Sequence, residues 1–389
     1  MSIKKNILII AFSHLYKDPR IIRQVKAFKD DYNVYTIGFA PVNDDIPNLL
    51  IKYKRNNLVL KLIRLLLSIT RLLSAYSTIV QKQYIIDSKV YNTDFEFILC
   101  NDVDSLPLGF KISKNIIPIW ADLHEFSPRE FENKFTWKLY FQPYKYWLCK
   151  SFLSRANYIT VVCSGIAKEY EKLFNVSVDG IVTNATFYES NLLPNYPGEK
   201  IKLIHHGGAM PNRKLDNMVQ MMRYLDDNYI LYLMLVSNGE AQIEYLESLK
   251  RTVNEYKLNV LFLEPVKTEL IASTINKFDI GIFILEPVGF NELYALPNKF
   301  FEYIQSRLCL AISPNPEMAK IISESKLGVL SDDFTPIKMA KVIANLNRDD
   351  IYYYKMNSHD NAFKYSADNN IIFMKEMAIK ISNSKKTFS

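Results

Sequence analysis

LPNKFFEYIQSRL runs from Leu296 to Leu308. Ahead of it stands FDIGIFIL (278–285) and behind it LCLAIS (308–313), two apolar runs of strand length. A strand, a loop, a helix and a strand in that order form a βαβ unit. Pro297 suits the first helical position, where its fixed φ is already helical and its missing N–H is not needed. Phe300, Phe301, Ile304 and Leu308 fall on the sheet-facing side. Asn298, Lys299, Glu302, Gln305 and Ser306 share the other. The helix therefore starts at the carboxyl end of a parallel strand, where open α/β sheets bind ligands. Its N–H groups and positive dipole end favour an anion such as a diphosphate. Glu302, one to two turns in, suits hydrogen bonds from a vicinal diol such as a ribose. Periodicity alone also allows a plain amphipathic helix with a solvated Glu.

Upstream, IKLIHHGG places a strand (201–205) before Gly207-Gly208, then Arg213-Lys214, then the helix LDNMVQMM. Glycines let a backbone approach a phosphate, and the cations neutralise it. Cations at a helix start are mildly unfavourable on their own, which weighs toward a ligand. Further strands at 229–236 and 260–263 alternate with helices. Asn238-Gly239-Glu240 closes the first of these as a strand-to-helix turn.

The amino-terminal half opens the same way. NILIIAF (6–12) and NVYTIGF (33–39) are strands around a helix from Pro19 to Phe28, but no G-x-G-x-x-G lies between them. A Rossmann dehydrogenase is thereby disfavoured. FEFILC (95–100) ends in Asn101, Asp102, Val103 and Asp104. Asp104 or Ser105 reads as a helix cap and not as a metal ligand. PIWADLHE (118–125) sets His124 after a strand, between two carboxylates that would position its ring. A hydrogen bond to a loop carbonyl is the structural alternative.

The stretch LVLKLIRLLLSITRLLSAY, from Leu58 to Tyr76, puts Lys61, Arg64, Ser68, Arg71 and Ala75 on one narrow stripe in an otherwise apolar helix. A basic, strongly apolar helix suits a membrane interface. Packing on the sheet with its basic edge in water is the alternative. FTWKLYFQPYKYWLCKSF (135–152) mixes aromatics and Lys, as a core helix pair with partial membrane contact would.

The segments ADLHE, HHGG…RK and PNKFFE, in that order along nearly the whole chain, resemble family 4 glycosyltransferases, retaining enzymes of the GT-B fold. The donor-site segment of that family reads P-x-K-x-x-E, and its Glu, here Glu302, holds the ribose of a nucleotide sugar. A second family Glu would fall at Tyr294, so this chain departs from the pattern at contacts to the donor sugar. Lys214 stands for the family's phosphate Lys. Gly208 takes the usual Arg position, and Arg213 next door would supply that charge. The resemblance implies that His124 contacts the donor sugar and that Asn238 lies near base or ribose. Gly207, Gly208, Arg213, Lys214, Asn238, Pro297, Asn298, Lys299 and Glu302 would bind the donor, with His124, Arg213, Lys214 and Glu302 serving catalysis. Arg20 and His14 either touch an acceptor phosphate or act locally.

The implied architecture is α/β: two Rossmann-like domains with parallel sheets facing an interdomain cleft. An acceptor-binding domain spans 1–186, a linker 187–200, a nucleotide-sugar domain 201–366, and a helix at 367–389 returns to the first domain. The implied activity is hexosyl transfer from a nucleotide sugar to a lipid-linked acceptor in surface-glycan synthesis. It would need no metal and no cofactor besides the donor. A nucleotide-sugar epimerase of GT-B shape and a non-catalytic sugar-nucleotide-binding subunit are the alternatives.

The whole chain bounds these expectations. Its 389 residues give a prior of two domains. Hydrophobic residues make up 49% and charged residues 23%, which reads as globular and not disordered. A net charge of +7 suits anionic small molecules or an anionic membrane surface better than nucleic acid. Four scattered cysteines without a CxxC pair fit a reducing cytoplasm. No stretch approaches the roughly 20 apolar residues of a membrane span. A cytoplasmic protein, peripheral on the inner face of the membrane through residues 58–76, is the expected location.

Overall fold

The computed structural model describes residues 4–55 and 57–386. The chain divides into two units. The first takes everything up to Thr183, the turn Gly289–Asn291 and the chain from Asn370 onward; the second takes Asn184–Val288 and Glu292–Asn369. Both carry a six-stranded parallel sheet, so the α/β expectation holds.

The first unit contains β1 (Asn6–Ile10), β2 (Asn33–Ile37), β3 (Leu50–Tyr53), β4 (Tyr84–Ile86), β5 (Phe95–Asn101), β6 (Ile119–Leu123), β7 (Tyr158–Val161) and β8 (Gly180–Ile181). Its sheet runs β2-β1-β5-β6-β7-β8, while β3 and β4 form a separate antiparallel pair. Parallel strands are covered on both faces, which is why they read as unbroken apolar runs. Ile7, Ile9, Phe28, Phe97, Leu99 and Trp120 are core, joined by Met374, Met377 and Ile381 of the last helix, Ala367–Lys386. Burying a side chain such as Phe97 contributes roughly 1.5–3 kcal/mol. Strand order reverses between β1 and β5, so the carboxyl ends of β1, β5 and β6 form the crevice of this sheet.

The second unit contains β9 (Ile201–Gly208), β10 (Tyr229–Val236), β11 (Val260–Leu263), β12 (Ile280–Phe283), β13 (Cys309–Ile312) and β14 (Gly328–Leu330). The order β11-β10-β9-β12-β13-β14 reverses between β9 and β12. After β12 the chain enters the helix Asn298–Gln305. Gly281 on β12 lets that helix lie close, since a Cβ there would stand 2.5 Å from the Tyr303 ring.

Several local expectations change. Pro297 is not the first helical residue; with φ −75° and ψ 154° it caps the helix, which starts at Asn298. The helix is buried nearly all round, including Glu302 and Gln305, because the helix Arg348–Asn361 packs against it. The Gln305 amide donates to the carbonyl of Ala362 at 2.6 Å. The expected cap at Asp104 or Ser105 does not form; the helix Asp102–Ser113 follows β5 directly. Cys163 stands at the cap position of the helix Ser164–Phe174. Residues 184–200 carry no helix or strand and belong to the second unit. The end of the expected final helix, residues 387–389, lies outside the described residues.

The stretch 58–76 is two helices, Leu58–Ile69 and Leu73–Gln81, broken where Arg71 takes φ 61°. Of its polar stripe Arg64 and Ser68 point inward, while Lys61, Arg71 and Ala75 stay exposed. Ser68 is buried and donates to the carbonyl of Tyr140. Arg64 donates to the Tyr76 hydroxyl at 2.7 Å, and Arg71 to the carbonyl of Leu139 at 3.2 Å. Leu58, Val59, Leu62, Leu66 and Ile69 are each more than half exposed. The apolar arc therefore does not pack on the sheet, although Lys61 and Arg71 of the basic edge do meet water.

Candidate functional site

In the second unit the predicted donor residues converge on the carboxyl end of β9. Gly207 adopts φ 132°, and a Cβ there would lie 3.1 Å from Lys299 Nζ. Glycine thus permits both the left-handed backbone and the approach of the Asn298 helix. Lys299 Nζ is 3.2 Å from His205 Nε2 and 4.5 Å from the centroid of Phe283. Burial lowers the Lys299 pKa to about 7; the Arg213 charge lowers it further, while Glu302 acts in the opposite direction. Arg213 therefore shares the electrostatic field of the glycine turn and the helix start. Lys214, with φ 47°, reaches Glu286 beyond β12 at 2.7 Å, spanning the β9–β12 switch point. Both members of the pair are substantially exposed, so it contributes little stability and leaves the ammonium available to an anion.

Two residues here carried no role in the sequence reading. His205 is fully buried, with Nδ1 3.0 Å from the carbonyl of Ile282; burial and then the Lys299 charge hold its pKa well below the ordinary range. His206 Nε2 lies 3.3 Å from Glu302 Oε2 but has no hydrogen-bond partner among the described residues. Burial and Lys299 lower the His206 pKa to about 3, so the ring is neutral. Two adjacent His at the end of a strand that runs into Gly-Gly were the available signal.

Asn238 stands apart from this cluster. It lines a cavity of about 350 Å³ with Lys250, Phe262 and Glu264, at the ends of β10 and β11. Its N–H is taken by the Gln242 side chain at 2.8 Å. Gly208 is extended, and its Cβ position meets only Met210.

In the first unit His124 follows β6. Its backbone N–H donates to Asp102 Oδ1 at 2.9 Å, and its Nδ1 is 3.3 Å from Asp102 Oδ2. Nε2 is 3.1 Å from Asn101 Oδ1 and 3.7 Å from Asp122 Oδ2. Both ring nitrogens face oxygens, so the ring orientation is fixed. Asp102 reaches His124 from a backbone with φ 58°, the kind of local strain that persists where the surroundings over-determine it. Beneath lies Asp122, gripped by Arg20 Nε and Nη2 at 2.7 and 2.6 Å, by Gln24 at 2.7 Å and by Thr160 at 2.7 Å. Burial would raise the Asp122 pKa, but Arg20 and His124 together outweigh it and hold the carboxyl well below the usual range. Arg20 is thus a local partner, as one of its two readings had it. His124, Asp102, Asn101 and Ser13 line a cavity of about 320 Å³.

Among the described residues no group of three or more His, Cys, Asp or Glu side chains is placed to hold a metal ion, and no helix is long and apolar enough to cross a membrane.

No family model and no curated protein matches this sequence. Solved structures do resemble the fold. Sucrose-phosphate synthase from Thermosynechococcus elongatus matches with a TM-score of 0.70 at 11% identity, over 98% of this chain and 100% of that one. HepE of Anabaena, determined in complex with UDP-glucose, gives 0.67 at 13% identity over 96% and 99%. An α,α-trehalose-phosphate synthase from Burkholderia vietnamiensis gives 0.66 at 10% identity over 98% and 99%. The fold shared with these proteins is GT-B.

Proposed function

We propose that a chain of this GT-B fold transfers a hexosyl unit from a nucleoside diphosphate sugar, with retention at the anomeric carbon, to a lipid-linked glycan acceptor. The donor binds the second unit and the acceptor the first. One observation carries this: Lys299 lies against a left-handed Gly207 at a topological switch point, within the field of Arg213 and with Lys214 bridging to Glu286, and a buried carboxylate stands one turn behind. That is the equipment for a diphosphate followed by a ribose. HepE, of the same fold, was determined with UDP-glucose, which supports a sugar nucleotide as the ligand class.

In this reading the glycine turn and the Asn298 helix start donate N–H groups to the diphosphate. Glu302 accepts from a ribose hydroxyl, and the neutral His206 beside it offers its unpaired Nε2 to the same diol. As the bond to the anomeric carbon breaks, negative charge builds on the diphosphate. Preorganised cations are worth most there, and removing one such contact lowers kcat by roughly 100- to 1,000-fold. His124, locked by Asp102 and Asn101, orients the donor sugar or acceptor hydroxyl. The exposed apolar face of Leu58–Ile69 seats the protein on the inner face of the membrane, where a lipid-linked acceptor lies.

Incubation of purified protein with a panel of nucleotide sugars and a lipid-linked acceptor tests this. Release of nucleoside diphosphate with a glycosylated acceptor of retained configuration is expected. An altered free sugar nucleotide would instead mark an epimerase, and saturable binding without turnover a non-catalytic subunit.

A further inference from the structure

The helix Leu58–Ile69 leaves its apolar arc exposed and turns Arg64 and Ser68 inward, and a cavity lies behind it. This cavity, about 550 Å³, falls in the roughly 300–1,000 Å³ range of small-molecule sites. Its walls carry Arg55, Lys61 and Arg64 together with Tyr53, Tyr76 and Tyr140, and no carboxylate. Among the described residues none of the three cations forms an ion pair with Asp or Glu. Arg64 is held in place by the Tyr76 hydroxyl and lies 4.8 Å over the Tyr76 ring. Three like charges sharing one cavity repel each other, and a di- or trivalent anion is their natural complement.

The outer side of the same helix supplies a second, independent feature. Five of its aliphatic side chains are mostly exposed. Each such side chain would gain roughly 1.5–3 kcal/mol from full burial. The surface is therefore built to be covered, and what covers it borders a cationic cavity.

The cavity also leads somewhere. Tyr53, Arg64, Tyr76, Gln83 and Phe141 line both it and the smaller cavity that reaches Asp102 and His124. An anion near Arg64 thus lies between the apolar outer face and the His124 end of the sheet.

We propose that the cavity behind Leu58–Ile69 holds the phosphate or diphosphate of an amphiphilic acceptor, whose apolar chain lies along the outer face of that helix and whose sugar end extends toward His124. The inference rests on the transferase reading for what the bound molecule is used for, but the binding itself does not. A protein partner or a second copy would satisfy the apolar face alone; only an amphiphile with an anionic headgroup satisfies the face and the cavity together.

Titration of the full chain with farnesyl diphosphate, farnesol and inorganic pyrophosphate, each below its aggregation limit, tests this. Farnesyl diphosphate is expected to bind at least about tenfold more tightly than either of the others. Lys61→Gln and Arg55→Gln, both at exposed positions, are expected to weaken it about tenfold each while leaving UDP binding unchanged. Arg64→Gln should weaken it further, and if that variant misfolds the other two still decide. Equal affinity for farnesol would reduce the site to an apolar groove. Equal affinity for pyrophosphate would reduce it to a free-anion site. A dimer that dissociates on Leu62→Glu and excludes farnesyl diphosphate would assign the face to a second copy. Any of these three overturns the proposal. Farnesyl diphosphate binding without nucleotide-sugar turnover would leave the cavity standing and remove the transferase. Turnover onto an uncharged soluble acceptor without such binding would do the reverse.

Discussion

The ammonium of Lys299 lies 3.2 Å from Nε2 of His205, a ring whose Nδ1 is 3.0 Å from the carbonyl of Ile282. Donation from Nδ1 to that carbonyl leaves Nε2 as the acceptor for Lys299. A strand-end histidine thereby holds the helix-start lysine over the glycine turn. Nothing at this distance supplies the full negative charge that the lysine needs, and its pKa falls to about 7.

A pH signature follows. In the unfolded chain Lys299 titrates near its ordinary 10.5, in the folded chain near 7. Between those values the unfolded state holds the extra proton, so this residue makes stability rise with pH from about 7 to about 10.5. Below about pH 7 its unfavourable contribution is complete and constant. A bound diphosphate supplies the missing negative charge and returns the proton. We expect UDP binding to take up protons at pH 8 but hardly any at pH 6, as read by calorimetry in buffers of different ionisation enthalpy. Lys299→Met should abolish that uptake. Uptake unchanged in the variant would place the diphosphate elsewhere.

Glu302 offers a test at the other end of the donor. Its carboxylate is buried, and His206 Nε2 stands 3.3 Å away with no hydrogen-bond partner. A hydrogen bond to a charged group is worth about 1.5–3 kcal/mol, or roughly 10- to 150-fold in affinity. Glu302→Ala should therefore weaken nucleoside diphosphate binding by about that factor, with circular dichroism unchanged. Its effect on inorganic pyrophosphate should be small, because the contact is to the ribose. An equal loss for both ligands would assign Glu302 to the phosphates.

Asp122 and Arg20 support the His124 end without reaching solvent. Removing one partner of a buried pair leaves an uncompensated charge and costs about 3–5 kcal/mol. Asp122→Ala should lower stability by that amount in denaturant titration at pH 7. The folded carboxyl titrates well below its ordinary value, so the stability it contributes is fully present above about pH 4 and is lost as pH falls further. The acid limb of the wild-type stability profile should therefore be shallower in the variant.

Much of this fold was legible because parallel strands are enclosed on both faces. FDIGIFIL and LCLAIS are almost wholly apolar for that reason, and β12 and β13 fall inside them, while β9 begins at IKLIHH and runs on through Gly208. The convergence of Gly207, Arg213 and Lys299 was legible as chemistry, since each sits at a strand end or helix start. The partners of Lys299 were not. His205 is 94 residues away, and only the β9–β12 pairing and the close helix bring the two together. The break at Arg71 was equally hidden, because no Gly or Pro marks it and an arginine takes the left-handed backbone there. Periodicity gave the stripe through Lys61, Arg64 and Ser68 but carries no sign: it separates two faces of a helix without saying which one meets the protein.

That sign decides how the membrane reading is to be tested. Reversing Arg64 and Arg71 would confound the result, because Arg64 holds Tyr76 and Arg71 the Leu139 carbonyl. The outer side is the one to change. Leu62 and Leu66 are 57% and 60% exposed, so substitution there removes little packing and should shift stability by no more than about 0.5 kcal/mol per site. At a bilayer, each leucine should instead contribute roughly 1.5–3 kcal/mol of transfer free energy if it is fully buried there. The double variant Leu62→Asp, Leu66→Asp should thus lose at least about 100-fold in partitioning to phosphatidylglycerol-containing vesicles, by co-sedimentation, with an unchanged melting temperature. Turnover of a soluble acceptor analogue should stay near wild type, because neither residue lines the cavities that reach Arg64 or His124. Partitioning that survives the double variant would show that this face is not what holds the protein to lipid.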